Sequence, residues 1–112
     1  MSFWQALKTP NELQLAIDNS ISRPCLFLKH STRCSLSAMA KNRIEKSIDT
    51  RFDYFIIDVI RHRDVSDGLS RIFDVQHESP QAFLVMGKKL LEVESHLAIS
   101  PSSFSTLIDS VE

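Results

Sequence analysis

The sequence predicts an α/β fold: a central mixed sheet of four or five strands flanked by about four helices. Three observations carry that prediction. Short apolar runs near 25–28, 52–60 and 82–86 alternate with segments of helical period, the pattern of strand–helix–strand units. A Gly87-Lys88-Lys89 turn then joins the third run to a fourth at 90–94, adding an antiparallel pair to a sheet otherwise built by right-handed crossovers. Finally, 112 residues suit one domain with a single modest core, so residues 1–112 are read as one unit.

Each element has its own local reason. Phe3 to Leu7 is either a short edge strand or an apolar N-terminal cover. Thr9-Pro10-Asn11-Glu12 has a cap, a proline at the first helical position and a glutamate to close a capping box. Leu13, Ala16, Ile17 and Ile21 continue that helix on one face. Pro24 ends the region, and Cys25-Leu26-Phe27-Leu28 reads as a strand covered on both faces. Leu36, Met39, Ala40, Ile44 and Ile48 keep a helical period. Phe52 to Ile60 is rich in aromatic and β-branched residues and predicts a strand. Asp64 is placed as the cap of a third helix carrying Val65, Leu69, Ile72 and Phe73. Ala82–Met86 and Leu90–Glu94 form the closing hairpin. Ser100-Pro101 opens a last helix with Phe104, Leu107, Ile108 and Val111 on one side. This mixed sheet with helices on both faces is the thioredoxin-like architecture.

Composition narrows the function. Thirteen basic and 14 acidic residues are intermixed, leaving no electrostatic footprint for nucleic acid. No apolar run reaches the roughly 20 residues that cross a bilayer, and the N-terminus has no export-signal pattern. A cytoplasmic setting is the expectation, with Cys25 and Cys34 as reduced thiols. Separated by an extended segment and its loop, they lie too far apart for a disulfide, which needs Cα atoms within about 7 Å. No paired Cys or His spacing suggests a metal site.

Cys34 is the candidate nucleophile. It stands past an apolar strand, in Lys29-His30-Ser31-Thr32-Arg33-Cys34-Ser35-Leu36-Ser37, where a helix begins. Only a thiolate attacks, and unpaired N–H groups at a helix start favour that form. Arg33 is expected to add a neighbouring charge. The residue three places on is Ser37, whose hydroxyl cannot resolve a mixed disulfide as a second cysteine would. Cys34 is therefore a monothiol site, expected to titrate well below an ordinary cysteine. Cys25 is read as core packing. Ser31 to Cys34 lacks the glycines and downstream arginine of a phosphate loop.

Ser79-Pro80 is the second signal. A cis bond is expected there, leaving the Ser79 backbone free to pair with an incoming chain, and a proline without an N–H suits a strand's first residue. His30 is either a nearby base or loop support. His77 and Glu78 either shape the groove or are solvated, and His96 lies in a loop. Two rivals stand beside thiol exchange: a binding module with Cys34 a bystander, and another thiol enzyme such as an arsenate reductase.

Taken together these residues resemble the monothiol bacilliredoxins. The matching pieces are Leu28-Lys29-His30-Ser31-Thr32, Cys34, Ser37-Ala38, Val75, His77-Glu78-Ser79-Pro80-Gln81, Phe83, Gly87 and Ser95-His96. The family's Thr-Cys-Pro-Ile-Ser is replaced here by Arg33-Cys34-Ser35-Leu36-Ser37. Loss of that proline frees the Ser35 N–H, which is expected to bond the thiolate. The resemblance implies removal of bacillithiol, or a related small thiol, from oxidised (S-thiolated) cytosolic proteins through a Cys34 mixed disulfide. It implies a co-substrate thiol and no permanently bound cofactor. Ser79 and Pro80 would position the substrate, and His30 and Arg33 would tune or bind it, Arg33 suiting an anionic thiol.

Overall fold

A computed structural model describes residues 3–111 of the chain. Five strands form one sheet in the order β1-β3-β2-β4-β5. In chain order these are β1 (Gln5–Ala6), β2 (Cys25–His30), β3 (Asp53–Asp58), β4 (Gln81–Met86) and β5 (Lys89–Ser95). The helices are α1 (Pro10–Asp18), α2 (Ser35–Glu45), α3 (Arg63–Phe73) and α4 (Pro101–Val111). β1, β3 and β2 run parallel, while β4 and β5 are antiparallel, so the expected mixed sheet is present.

The strand alternation sorts side chains into two cores. Cys25, Phe27, Phe55, Ile57, Phe83 and Val85 face α1 and α3, meeting Leu13, Ile17, Val65 and Leu69. Leu26, Leu28, Tyr54, Ala82 and Leu84 face α2 and α4, meeting Ala40, Ile44, Phe104 and Ile108. Burying a side chain of this size stabilises the fold by roughly 1.5–3 kcal/mol, so these paired layers fix the sheet.

Local signals explain most boundaries. Thr9 Oγ1 accepts from the Glu12 N–H at 3.1 Å and Glu12 Oε1 accepts from the Thr9 N–H at 3.1 Å, the capping box that starts α1. The N-terminal segment is both things the sequence allowed: Gln5–Ala6 pairs with β3, and Phe3 and Trp4 pack their rings on Tyr54. The hairpin turns on Gly87 and Lys88, both at positive φ (61° and 64°), which places Lys89 in β5 rather than in the turn.

Other expectations are corrected. Asp64 does not cap α3; His62 holds that position without a side-chain cap, and Asp64 lies in the first turn. β3 stops at Asp58 because its carboxylate accepts from the Ile60 and Arg61 N–H groups, bending the chain. Ile21 sits in a short 3-10 turn and Ile48 lies past the end of α2, and both are exposed. Leu36, Met39, Ile72 and Val111 are exposed as well. The buried face of α2 is Ser37, Ala40 and Ile44, small residues that bring the helix close to the sheet.

Candidate thiol-exchange site

The β2–α2 connection builds the site. β2 ends at His30, and the Ser31 carbonyl accepts from the Cys34 N–H at 3.2 Å, closing a tight turn over Thr32 and Arg33. Cys34 is then the N-cap of α2, with φ −116° and ψ 122°, and is partly exposed. An N-cap side chain faces the N–H groups two and three residues on. The Ser37 N–H, with a lesser contribution from that of Leu36, holds the Cys34 thiol below its ordinary value against the opposing effect of desolvation. The Ser37 hydroxyl acts in the same direction, more weakly.

Two expectations change here. Ser35 is the first residue of α2, and its freed N–H is not among the groups favouring the thiolate. Arg33 is exposed and is not among them either. The backbone is fixed beside the sulfur, whereas a long exposed guanidinium spends its charge in solvent. Ser37, expected only as an absent resolver, is fully buried, and its Oγ accepts from the Ser31 N–H at 3.2 Å. It therefore ties the start of the loop to the helix that receives the thiolate.

The Ser79–Pro80 turn lies at the same end of the sheet. The register sets Lys29 of β2 opposite Gln81 of β4, so Pro80 enters β4 beside the end of β2. The Ser79–Pro80 peptide is cis. The Pro80 carbonyl accepts from the His96 N–H at 2.9 Å, and buried Gln81 holds the segment before it: its Oε1 accepts from the Glu78 N–H and its Nε2 donates to the Gln76 carbonyl. Ser79 Oγ is buried without a partner among the described residues.

A sequence model of the family described as "Monothiol bacilliredoxin BrxC" matches residues 5–104. The chain belongs to this family. A solved protein provisionally described as an oxidoreductase with a thioredoxin fold superposes with TM-score 0.85 at 28% identity, over 95% of this chain and 94% of that one. Thioredoxins share the fold at lower identity. That of Fasciola hepatica gives TM-score 0.71 and 14% identity over 96% of this chain and 99% of its own. NaTrxh of Nicotiana alata gives 0.70 and 21% over 97% and 92%. Family and fold make this bacilliredoxin a thiol–disulfide redox protein.

The remaining expected residues divide. Thr32 is exposed on the rim of a groove that His30 also lines. His30 is half-buried on the α2 side; burial and the nearby Lys41 charge lower its pKa, so it is neutral near pH 7. Its Nδ1 has no partner among the described residues. Glu78 is exposed, its Oε1 3.8 Å from His96 Nδ1. Among the described residues no cluster of His, Cys, Asp or Glu is placed to hold a metal, and no helix is long and apolar enough to cross a membrane.

One residue escaped sequence reasoning. Lys29, at the end of an apolar run, is fully buried, with Nζ hydrogen-bonded to Ser70 Oγ and 3.0 Å from His77 Nδ1. Burial pulls its pKa down to about 8 and likewise lowers that of His77. His77 is thus neutral, its Nδ1 accepting from the ammonium. His77 belongs to the segment leading to Pro80, so Lys29 ties that segment to α3. Its signal was faint: a lysine four residues into a strand that was expected to be covered on both faces.

Proposed function

We propose that Cys34 takes a small thiol, bacillithiol or a close relative, from S-thiolated cytosolic proteins. The thiolate of Cys34 attacks the small thiol's sulfur in the mixed disulfide. A bond forms between those two sulfurs, the protein–sulfur bond breaks, and the repaired protein leaves as its thiolate. A second small thiol then attacks the Cys34 adduct, restoring Cys34 and leaving the symmetric small-thiol disulfide. Ser79 and Pro80 would border the incoming chain, and Thr32 and His30 the small thiol. On this reading residues 1–112 work as one unit with the small thiol as co-substrate and no permanently bound cofactor.

The observation that carries the proposal is a partly exposed sulfur whose pKa is lowered by the start of α2, with a hydroxyl where a resolving thiol would be. The same observation argues against a binding module, for which Cys34 would have no reason to be activated. An oxyanion-handling enzyme needs several cations acting directly on the sulfur, and the groups that shift the Cys34 pKa are hydrogen-bond donors of α2 and not cations.

The test is intact-mass spectrometry of a protein carrying one S-bacillithiolated cysteine, mixed with a stoichiometric amount of this chain. The expected result is loss of the adduct from the protein and its gain on Cys34, with no transfer to Cys34→Ser. An adduct that stays on the protein while Cys34 remains free would overturn the proposal.

A further inference from the structure

β1, β3 and β2 are parallel, so their C-terminal ends point the same way, and the three connections that follow them meet around a groove of about 230 Å³. Open α/β sheets bind ligands at this end of parallel strands. The floor is apolar, from Leu7 and Ile56. Thr32 stands on the rim, and the tight turn from Ser31 to Cys34 joins it to the reactive sulfur. Lys8 and Arg61 also line the groove.

Charge singles out the occupant. Both cations are exposed, and among the described residues neither closes an ion pair within 4.0 Å. The one acid of the groove, Asp58, already accepts from the Ile60 and Arg61 N–H groups at 2.9 and 3.0 Å. An apolar floor with two cations outside any ion pair within 4.0 Å, joined through Thr32 to the turn that carries the reactive sulfur, fits a small molecule with a compact body and one or more carboxylates.

Resting on the function proposed above, we propose that this groove is the subsite for the non-sulfur part of the small thiol, with Arg61 and Lys8 binding its carboxylates. Arg61 supplies the planar fork that matches a carboxylate, and Lys8 a point charge. Arg33, outside the groove, is not part of the subsite.

The experiment compares two mixed disulfides of one target protein, with bacillithiol or with uncharged 2-mercaptoethanol. Transfer to Cys34 is followed by mass in the wild type, Arg61→Gln, Lys8→Gln and Arg61→Lys. The expected result is about tenfold slower bacillithiol transfer in Arg61→Gln, the equivalent of one charge-assisted contact. Lys8→Gln should lose less, Arg61→Lys should recover part, and 2-mercaptoethanol transfer should stay unchanged. Equal slowing with both disulfides would assign the groove to the protein partner and overturn the subsite. No slowing with either would overturn it too. Failure of the parent reading looks different, because wild-type Cys34 would then not take bacillithiol at all.

Discussion

Cys25 opens β2 and Cys34 follows its far end, yet the two thiols are driven in opposite directions. Cys25 is fully buried, its sulfur facing the Ala16 and Arg23 carbonyls, which cannot donate to a thiolate. Burial, reinforced by the negative charge of Asp53, pushes its pKa up to about 12. Cys34 has unpaired helix N–H groups and a serine hydroxyl, all donors, and its pKa falls. Reactivity is therefore set by what the backbone offers the sulfur and by how much water it has lost. The amino-acid type alone decides neither.

The largest effect that would break this comparison comes from removing each sulfur in turn. Thiolate absorbance of Cys25→Ser, titrated with base, should show one transition below the ordinary cysteine range. Cys34→Ser should show none until near 12 and should lose all exchange at pH 7. Ser37→Ala, tested in the Cys25→Ser background, should move the low transition upward, since it deletes one donor and leaves the two N–H groups. A low transition that survives in Cys34→Ser would reverse the assignments.

The next effect changes the product rather than the rate. Ser37 is buried one helical turn from Cys34, so Ser37→Cys places a second thiol at the hydroxyl that helps to lower the Cys34 pKa. That thiol should attack the Cys34 adduct, release the small thiol and leave an internal disulfide. Mass spectrometry should find a chain two hydrogens lighter in place of the adduct. An adduct as long-lived as in the wild type would mean that the two positions do not meet in solution, and that the hydroxyl does not reach the thiolate either.

What could be read from the sequence was local. The α1 capping box lies within four residues, and Cys34 before a helix is a statement about neighbours. Even the correct donors were within reach: a residue at the N-cap faces the second and third helical N–H groups, which are Leu36 and Ser37 rather than Ser35. The stripe on α2 was misread because Leu36 and Met39 are apolar, whereas the helix docks through Ser37 and Ala40, whose small side chains allow close approach. No pattern in one segment reveals that. The groove at Lys8, Thr32 and Arg61 draws on three loops far apart in the chain, and Lys29 is covered by Ser70 and His77, 41 and 48 residues away. Such contacts exist only once the sheet has been assembled.

Lys29 sharpens the comparison with Cys25, because the same burial acts on a base. At Cys25 it raises the pKa and at Lys29 it lowers it, in each case disfavouring the charged form. The drop from 10.5 to about 8 corresponds to about 3 kcal/mol against the folded, charged lysine. Below pH 8 Lys29 carries its proton in both folded and unfolded chains, so the fold bears that full penalty. Between about 8 and 10.5 the unfolded chain binds more protons than the folded one, and stability from this group rises with pH. Lys29→Met has no such titration. It loses the ammonium's bonds to Ser70 and His77, worth a kcal/mol or so each, but also removes the buried charge. Urea unfolding of the two proteins at pH 7 and pH 10 should therefore show wild type gaining on Lys29→Met by about 2 kcal/mol, with the titrations shared by both cancelling. A difference that stays flat across that range would mean that water reaches the ammonium, and that burial at this end of β2 does not act as it does at Cys25.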